Sequence, residues 1–403
     1  MRIAILSDDY LPASTRNHAR MLHELALEFG SRGHSVVVIT SGNRAQESLM
    51  QFDELNGVEV WRFKTGPTRD VPKYKRAANE SLLSWNAIRA IKSSGRSDLF
   101  DICVNYSPTI FFGPLASWLR RRGAYVYLIL RDFFPQWVVD EGMLSKRSLI
   151  TKCFRFFEAL NYRAADTLAV QSPANISAFS QMTPYLHPRV DVLYNWSNGR
   201  FNGQNDSFGR DILEREGITG KIVLFYGGNI GHAQDMDNLI RLAKRLESDG
   251  RVHLLLVGQG DEFDYVMKKV TNNEAANVSI LSSVTQEQYL SILKVVDVGV
   301  FSLASSHLAH NFPGKLLGYM AAGLPILGSV NRGNDVIELL NESGSGLVSV
   351  NGQDDEFYDN ALKLLSCGGL RTEVGSSAKK LLTTIFSVEN AADQILAASE
   401  RKE

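Results

Sequence analysis

Short apolar runs alternate with amphipathic stretches along almost the whole chain. The runs at 2–8 and 35–42 are typical of buried parallel strands, and the segment between them, 19–34, has the apolar spacing of a helix that packs on a sheet. The same rhythm continues through the first half, with strand-like runs at 58–63, 101–106, 124–132, 167–172 and 190–195. Strands that alternate with helices predict a doubly wound parallel sheet.

The pattern restarts after a polar, glycine-rich segment at 197–209. New strand-like runs follow at 221–228, 252–260, 278–281, 297–302, 325–330 and 346–350. We therefore predict a first domain over residues 1–196, a linker over 197–220 and a second domain over 221–387. A last helix, at about 388–403, either stays with the second domain or crosses back to the first.

Composition narrows the class of protein. The 403 residues suit two domains of ordinary size, and a net charge of −1 excludes the strongly basic footprint of a nucleic-acid binder. Three widely spaced cysteines fit a reducing cytoplasm better than a disulfide framework. The apolar start is cut by Asp8 and Asp9, which indicates a buried strand rather than a signal peptide. We expect a cytoplasmic protein without a membrane span.

Ligands of open α/β sheets bind beyond the carboxyl ends of the strands, and this rule selects the candidate residues. In the first domain it selects Asp9, after the first strand, and Arg131 with Asp132, after a strongly apolar strand. In the second domain it selects residues of four loops, which are Gly228, Asn229, Gly231, Gln234, Gly258, Val284, His310, Asn311, Gly314, Lys315 and Leu316.

The chemistry of these residues favours a phosphate-bearing ligand. Lys315 begins a predicted helix, where a cation opposes the helix dipole unless an anion binds beside it. The glycines at 227, 228 and 231 either form only a tight turn or allow a ligand to approach the backbone closely. The pair Arg131 and Asp132 either forms a structural bridge or holds an acceptor hydroxyl. The Cys and His spacings provide no metal-ligand set, so a metal-independent site is predicted.

Five segments, taken in order, resemble the glycosyltransferases of family 4. They are RGHSVVVITSG at 32–42, FYGGNIGHAQDMDNLI at 225–240, LLLVGQGDE at 254–262, the stretch 277–302, and KLLGYMAAGLPIL at 315–327. The opening SDDYLPAST and the segment RDFFPQW look closest to bacterial O-antigen and capsule enzymes of the WbuB type, which resemble L-N-acetylfucosamine transferases. The resemblance covers nearly the whole chain.

The resemblance implies an α/β protein of the GT-B fold, with two facing Rossmann-like doubly wound parallel-sheet domains. It implies a retaining transfer of an amino sugar, N-acetyl-L-fucosamine or a related one, from a UDP-sugar donor. The acceptor would be a polyprenyl-diphosphate-linked saccharide at the inner membrane leaflet, and no cofactor or metal would be needed. Arg131, Asp132, Asp9 and His310 are then the candidates for catalysis, and the second-domain loops bind the donor.

The chain departs from the family pattern at four of these positions. His310 and Gly318 stand where the family commonly has two glutamates, and Asn229 and Gln234 stand where it has an arginine and a lysine. The nucleotide contacts of that glutamate pair are therefore not carried over. Lys315 matches a lysine that the closest subgroup tends to keep, and its charge can replace the lost cations.

Several alternatives stay open. A nucleotide-sugar epimerase shares this architecture. A hydrolase would need a pair of carboxylates, whereas a non-catalytic sugar-binding partner would need no catalytic residues. The basic cluster 120–123 also has two interpretations. With the nearby aromatic residues it forms either a peripheral patch for an anionic membrane or a set of solvated charges over core aromatics, namely Phe111, Phe112, Trp118, Phe154, Phe156 and Phe157.

Overall fold

The chain folds into two compact units. The structure, a computed structural model, describes residues 1–14, 16–68, 71–96, 99–107, 109–140, 142–183, 188–199, 201, 205–272, 275–306 and 312–401. Unit 1 contains Met1–Tyr194 and the C-terminal segment that starts at Val388, and unit 2 is Asn195–Ser387.

Unit 1 is built on an eight-stranded sheet in the order β3-β4-β2-β1-β5-β6-β7-β8. Its strands are β1 Arg2–Ser7, β2 Ser35–Ser41, β3 Met50–Leu55, β4 Val58–Phe63, β5 Ile102–Ser107, β6 Tyr125–Leu130, β7 Thr167–Val170 and β8 Arg189–Val192. All neighbouring strands are parallel except β3 and β4, which pair antiparallel at one edge. Every residue of β5 and β6 is buried, as expected for central parallel strands.

Within the described ranges, seven helices of unit 1 precede unit 2 in the sequence. They are α1 Asn17–Ser31, α2 Lys73–Ser81, α3 Leu83–Ser93, α4 Gly113–Arg120, α5 Gln136–Asp140, α6 Leu149–Ala164 and α7 Pro173–Met182. Helix α1 buries Leu22, Ala26 and Phe29 at helical spacing. Helix α6 begins after Ser148, whose hydroxyl accepts a hydrogen bond from the Thr151 N–H at 3.1 Å.

Unit 2 is built on a six-stranded parallel sheet in the order β11-β10-β9-β12-β13-β14. Its strands are β9 Ile222–Asn229, β10 Val252–Gln259, β11 Val278–Ser282, β12 Val298–Ser302, β13 Ile326–Val330 and β14 Gly346–Val350. Its helices are α8 Ser207–Arg215, α9 Met236–Arg245, α10 Phe263–Thr271, α11 Gln286–Leu293, α12 Lys315–Ala322, α13 Val336–Glu342, α14 Asp354–Ser366 and α15 Gly368–Thr384.

The range expected as a linker, 197–220, contains helix α8. This helix packs against α11 at Gly209, where a Cβ would lie 2.5 Å from the Ser291 carbonyl oxygen. The Gly209 N–H also bonds to the Ser291 hydroxyl at 3.0 Å. Polar and glycine-rich composition suggested a loop here, but the glycine serves a close helix contact, so this part of the range belongs to the body of unit 2.

The last helix, α16 Val388–Glu400, packs against α1 and belongs to unit 1. Arg32, which follows α1, bonds to the Asp393 carboxylate and to the Glu389 carbonyl oxygen. The chain therefore returns to unit 1 after completing unit 2. Among the described residues, no helix is both long and apolar enough to cross a membrane.

Candidate functional site

In unit 2 the glycine turn at the end of β9 lies against the start of α12. The Gly227 N–H donates to the Tyr319 hydroxyl at 3.1 Å, which ties the end of β9 to α12. Gly228 has φ +143°, and a Cβ there would lie 3.2 Å from Cε of Lys315. A glycine is therefore required both by the backbone conformation and by the stem of the lysine beside it.

Lys315 presents a half-buried cation at this turn. Its Nζ lies 3.5 Å from the centroid of the Tyr226 ring, a cation–π contact. It makes no ion pair with any residue that the structure describes. Burial lowers the pKa of the Lys315 amine well below its usual range. The start of α12 thus holds a desolvated amine that an anionic ligand would stabilise in its charged form.

The loops after β9 and β10 touch each other. A Cβ on Gly258 would overlap the Gly228 carbonyl oxygen and lie 3.0 Å from its carbon. Asn229 donates from Nδ2 to Oε1 of Gln234 at 2.8 Å, so these two predicted site residues are hydrogen-bonded across the turn. Gly231 directly precedes the short 3₁₀ helix His232–Gln234. Five of the predicted donor-binding positions are therefore neighbours in space.

Leu316 was predicted to contact the donor, and the structure shows where its side chain and its N–H group lie. Its side chain is fully buried in unit 2, and its N–H donates to the Pro313 carbonyl oxygen at 3.0 Å. An apolar residue in the first turn of α12 packs inward, and its backbone donor is already used. Gly314 is exposed and Val284 is half-buried, whereas His310 and Asn311 lie outside the described residues.

Tyr289 of α11 adjoins the glycine turn and was not among the predicted residues. A Cβ on Gly227 would lie 2.5 Å from its Cε2, and a Cβ on Gly318 would lie 3.2 Å from its hydroxyl. The ring thus fills the space beside two glycines. Gly318, which stands where the family commonly has a glutamate, was the available signal: a missing side chain on a helix leaves room for a large neighbour.

In unit 1 Arg131 and His18 lie against the Tyr106 ring, and Asp9 lies beside His18. The guanidinium carbon of Arg131 lies 5.9 Å from the ring centroid, and the His18 ring stacks on the ring at 5.7 Å. His18 Nε2 lies 4.0 Å from the carboxylate of Asp9, which also accepts a hydrogen bond from the Ser14 hydroxyl. His18 was not predicted as a site residue, although it begins α1 directly after the loop that follows β1.

Arg131 and Asp132 do not form the structural bridge that was one of their two interpretations. The structure has no ion pair between them, and Arg131 Nη1 and Asp132 Oδ1 are buried without a hydrogen-bond partner among the described residues. Burial raises the pKa of Asp132 to about 6, and the neighbouring Arg131 charge opposes that rise. Buried polar atoms normally find partners, so both atoms are available to a ligand.

A cavity of about 880 Å³ lies at the carboxyl ends of β1, β2 and β4 in unit 1. Asp9 lines it, together with the charged side chains of Arg44, Asp53 and Arg62. Arg131 and Asp132 do not line it. Within the described residues no group of three or more His, Cys, Asp or Glu side chains could hold a metal ion.

The aromatic residues near the basic cluster 120–123 are mostly not exposed in the structure. Phe111 and Phe112 are buried, and Phe154 and Phe157 are partly buried against the same core. Most of the predicted aromatic residues are therefore core residues, as one of the two interpretations had it. Phe156 is the exception because its ring is largely exposed.

The two halves of the chain match two family models. Residues 18–196 match the Glycosyl transferase 4-like domain, and residues 210–381 match Glycosyl transferases group 1. A curated relative, the probable glycosyltransferase WbjE of Pseudomonas aeruginosa, is 24% identical over 219 residues. That alignment spans 54% of this chain and 54% of WbjE, about half the length of the relative.

Two solved structures share the fold over almost their full length. HepE of Anabaena, in complex with UDP, has a TM-score of 0.68 at 16% identity, and the match covers 100% of this chain and 100% of HepE. WaaG, a glycosyltransferase involved in lipopolysaccharide biosynthesis, has a TM-score of 0.65 at 16% identity, with 98% of this chain and 99% of WaaG covered. The predicted fold class is confirmed. With a Glycosyl transferase 4-like domain at 18–196 followed by a Glycosyl transferases group 1 domain at 210–381, the chain belongs to the glycosyltransferases.

Proposed function

We propose that this protein is a retaining, metal-independent glycosyltransferase that uses a UDP-sugar donor and a lipid-linked saccharide acceptor. The observation that carries the proposal is the Lys315 amine, which is desolvated, lacks an acidic partner among the described residues and lies against Gly228 at the start of α12. Structures of the similar HepE with UDP and with UDP-glucose support a nucleotide diphosphate as the ligand of this fold.

The donor diphosphate is the group that Lys315 would bind. Lys315 supplies a charge-assisted hydrogen bond, and the N–H groups at the start of α12 and in the turn near Gly228 supply partial positive charge. When the bond between the anomeric carbon and the diphosphate oxygen breaks, negative charge grows on that oxygen. Fixed positive groups beside it stabilise the transition state without a metal ion.

The acceptor hydroxyl is assigned to unit 1 in this proposal. Arg131 and Asp132 offer buried polar atoms that lack partners among the described residues, and Asp132, with a pKa raised to about 6, can accept a hydrogen bond close to neutral pH. Asp9, and with it His18, would orient the same saccharide. In a retaining transfer the hydroxyl attacks the face that the diphosphate leaves, and a phosphate oxygen assists its deprotonation.

The sugar and acceptor follow from the resemblance rather than from the site. The segments at 7–15 and 131–137 favour N-acetyl-L-fucosamine or a related amino sugar. The same enzymes act on polyprenyl-diphosphate-linked saccharides in O-antigen and capsule synthesis, and the relationship to WbjE is compatible with that role. We accordingly propose a cytoplasmic enzyme that works at the inner membrane leaflet.

Titration with nucleoside diphosphates tests the proposal most directly. UDP should raise the melting temperature and bind calorimetrically, whereas GDP and dTDP should bind more weakly. Transfer from UDP-N-acetyl-L-fucosamine to a lipid-linked acceptor should then survive an excess of chelator. No binding of any nucleoside diphosphate would contradict the donor site, and activity restored only by Mn²⁺ or Mg²⁺ would contradict metal independence. Epimerised donor without transfer would favour the epimerase alternative.

A further inference from the structure

Tyr289 reaches from α11 into the space beside the glycine turn. Its ring centroid lies 5.9 Å from that of Phe225, in β9. A Cβ on Gly227 would lie 2.5 Å from Tyr289 Cε2, and a Cβ on Gly318 would lie 3.2 Å from the hydroxyl oxygen. A phenylalanine would fill the same space beside both glycines. Packing therefore accounts for the ring of Tyr289 but not for its hydroxyl group.

Three tyrosines meet at this turn, and two of their hydroxyl groups are used within unit 2. The Tyr319 hydroxyl donates to the Val300 carbonyl oxygen at 3.2 Å. The Tyr226 hydroxyl donates to the Asn229 carbonyl oxygen. The Tyr289 hydroxyl, in contrast, makes no hydrogen bond with any residue that the structure describes.

The Tyr289 hydroxyl is therefore available to a ligand. Tyr289 is half-buried, and burial raises its pKa above the usual range, so the hydroxyl keeps its proton and can donate it. Tyrosine hydroxyls that leave bulk water normally find a hydrogen-bond partner. Since none lies among the described residues, a ligand beside the turn can supply it.

The hydroxyl lies at a defined place relative to Lys315. Gly318 follows Lys315 by three residues in α12, and side chains at that spacing lie on one side of a helix, roughly 5–6 Å apart at Cβ. Cε of Lys315 lies 3.2 Å from the Cβ position of Gly228, and the Tyr289 hydroxyl lies 3.2 Å from that of Gly318. The amine and the hydroxyl therefore border the same side of α12, about one helical turn apart.

The first turn of α11 holds Tyr289 in place. Thr285 caps this helix, because its hydroxyl accepts from the Gln288 N–H at 3.3 Å and its N–H donates to Oε1 of Gln288 at 2.9 Å. The Tyr289 N–H donates to the Thr285 carbonyl oxygen at 2.9 Å, and α11 packs against α12. The hydroxyl is thus presented by a capped helix, which suits a fixed contact with a ligand.

We infer that the Tyr289 hydroxyl forms a hydrogen bond with a ribose hydroxyl of the nucleoside diphosphate whose phosphates lie at Lys315. A second phosphate contact would call for another cation, whereas a phenol both donates to and accepts from a neutral hydroxyl group. In a nucleoside diphosphate the ribose adjoins the phosphates, as the phenol adjoins the amine. The inference rests on the proposed function for the placement of the phosphates at Lys315.

The location of Tyr289 assigns it to the nucleoside end of the donor. Tyr289 belongs to unit 2, whereas the proposed acceptor residues, Arg131 and Asp132, belong to unit 1. The transferred sugar must reach the acceptor, so the group that α11 holds is the part of the donor that stays behind. A site built to bind a hydroxyl group discriminates against an analogue without it, because its own polar group is then left unpaired. The contact therefore selects ribonucleotides.

Calorimetric titration of the full-length wild type and of Tyr289→Phe tests this inference. The ligands are UDP, 2′-deoxy-UDP and 3′-deoxy-UDP. The variant keeps the ring beside Gly227 and Gly318, so its melting temperature should match that of the wild type. It should bind UDP about 3- to 10-fold more weakly, as expected for the loss of one neutral hydrogen bond. The analogue that lacks the contacted hydroxyl should bind the two proteins equally, because the interaction is already absent.

Tyr358→Phe is the matched control in unit 2. Tyr358 lies in α14, where the guanidinium of Arg245 covers its ring at 4.2 Å. This variant should bind all three ligands like the wild type. A loss of UDP affinity that is as large as in Tyr289→Phe would contradict a specific contact at Tyr289.

The outcomes separate this inference from the proposed function. Equal UDP affinity of the wild type and Tyr289→Phe would overturn the inference. So would a variant that binds UDP and both deoxy analogues more weakly by the same factor, because Tyr289 would then shape the site without contacting the ribose. In both cases a loss of UDP affinity in Lys315→Met would leave the proposed donor site standing. A wild type that binds no nucleoside diphosphate would refute the donor site itself and, with it, the ribose contact.

Discussion

Replacing Lys315 with methionine is expected to weaken UDP binding while leaving the fold at least as stable. The amine sits on the Tyr226 ring with no acidic partner among the described residues, and burial lowers its pKa, so the folded protein gains nothing from the charge. Methionine keeps a stem of similar length against Gly228 and a favourable sulfur–aromatic contact. The free energy of unfolding should therefore stay constant or rise by about 1 kcal/mol.

The loss of UDP affinity follows from the missing charge. A hydrogen bond to a charged group contributes about 1.5–3 kcal/mol, which corresponds to about a 10- to 150-fold increase in Kd. Isothermal calorimetry measures that change, and urea denaturation measures the stability of the same preparation. Lys294→Met is the matched control, because Lys294 is an exposed lysine elsewhere in unit 2, and it should leave both quantities unchanged.

The decisive result is a loss of UDP affinity without a loss of folding stability. A variant that binds UDP like the wild type would refute the assignment of the diphosphate to Lys315. A variant that loses stability together with affinity would mean that the lysine has a structural role instead. Either result would remove the observation that carries the proposed function.

Proton uptake provides a second measurement on the same residue. Because burial lowers the pKa of Lys315 in the free protein, and a diphosphate beside it would raise that pKa again, UDP binding should take up protons in the pH range between the two values. The apparent binding enthalpy should then differ between buffers with different ionisation heats. In the ligand-free protein, the free energy of unfolding should rise with pH between the lowered pKa of Lys315 and the ordinary lysine pKa, because the unfolded chain holds that proton more tightly.

Three further predictions concern other parts of the two units. Asp132→Asn should lower turnover about tenfold or more and leave UDP affinity unchanged. The pKa of Asp132 in the folded protein, about 6, exceeds the ordinary value of 3.8, so the wild-type protein loses stability as the pH rises through 6. The variant should therefore be at least as stable as the wild type at neutral pH. Gly258→Ala should destabilise unit 2 by about 1–3 kcal/mol and abolish UDP binding because its Cβ overlaps Gly228, whereas Gly250→Ala, with nothing within 4 Å, should be neutral. Burial lowers the pKa of His253 from 6.5 to about 4, so the free energy of unfolding should fall as the pH drops from 6.5 to 4. In urea denaturation, the free energy of unfolding of His253→Gln should depend less on pH over this range.

The strongly apolar parallel strands were predictable because burial on both faces leaves an unmistakable run of apolar residues. The strand at 58–63 and the strand at 346–350 have the predicted bounds. The antiparallel edge strand β3 escaped prediction because its outward residues are polar and exposed, so it lacks that run. Helix α15 escaped for a different reason: it begins with two glycines, and Gly375 within it allows contact with the Gly323 backbone.

The candidate site was predictable as a set of loops but not as a set of contacts. The strand-end rule selected Gly228, Gly258 and Lys315, which the structure brings together. It does not show the direction of a side chain on the helix that follows, and the Leu316 side chain is buried in unit 2. Tyr289 was missed because it comes from α11 and enters through space left by glycines, which only three-dimensional packing reveals. Whether these residues bind the donor stays a prediction.

The return of the chain to unit 1 through α16 has a consequence for biogenesis. During translation, β1 and α1 leave the ribosome early, but the helix that covers α1 is synthesised only after residue 387. Domains made from one continuous segment can fold as soon as they emerge. Unit 1 cannot, so the α1 surface stays open to solvent while all of unit 2 is being made. A cut between the units would leave the first fragment without its closing helix, and separate expression would require residues 388–400 to be grafted onto residue 194 through a short connection.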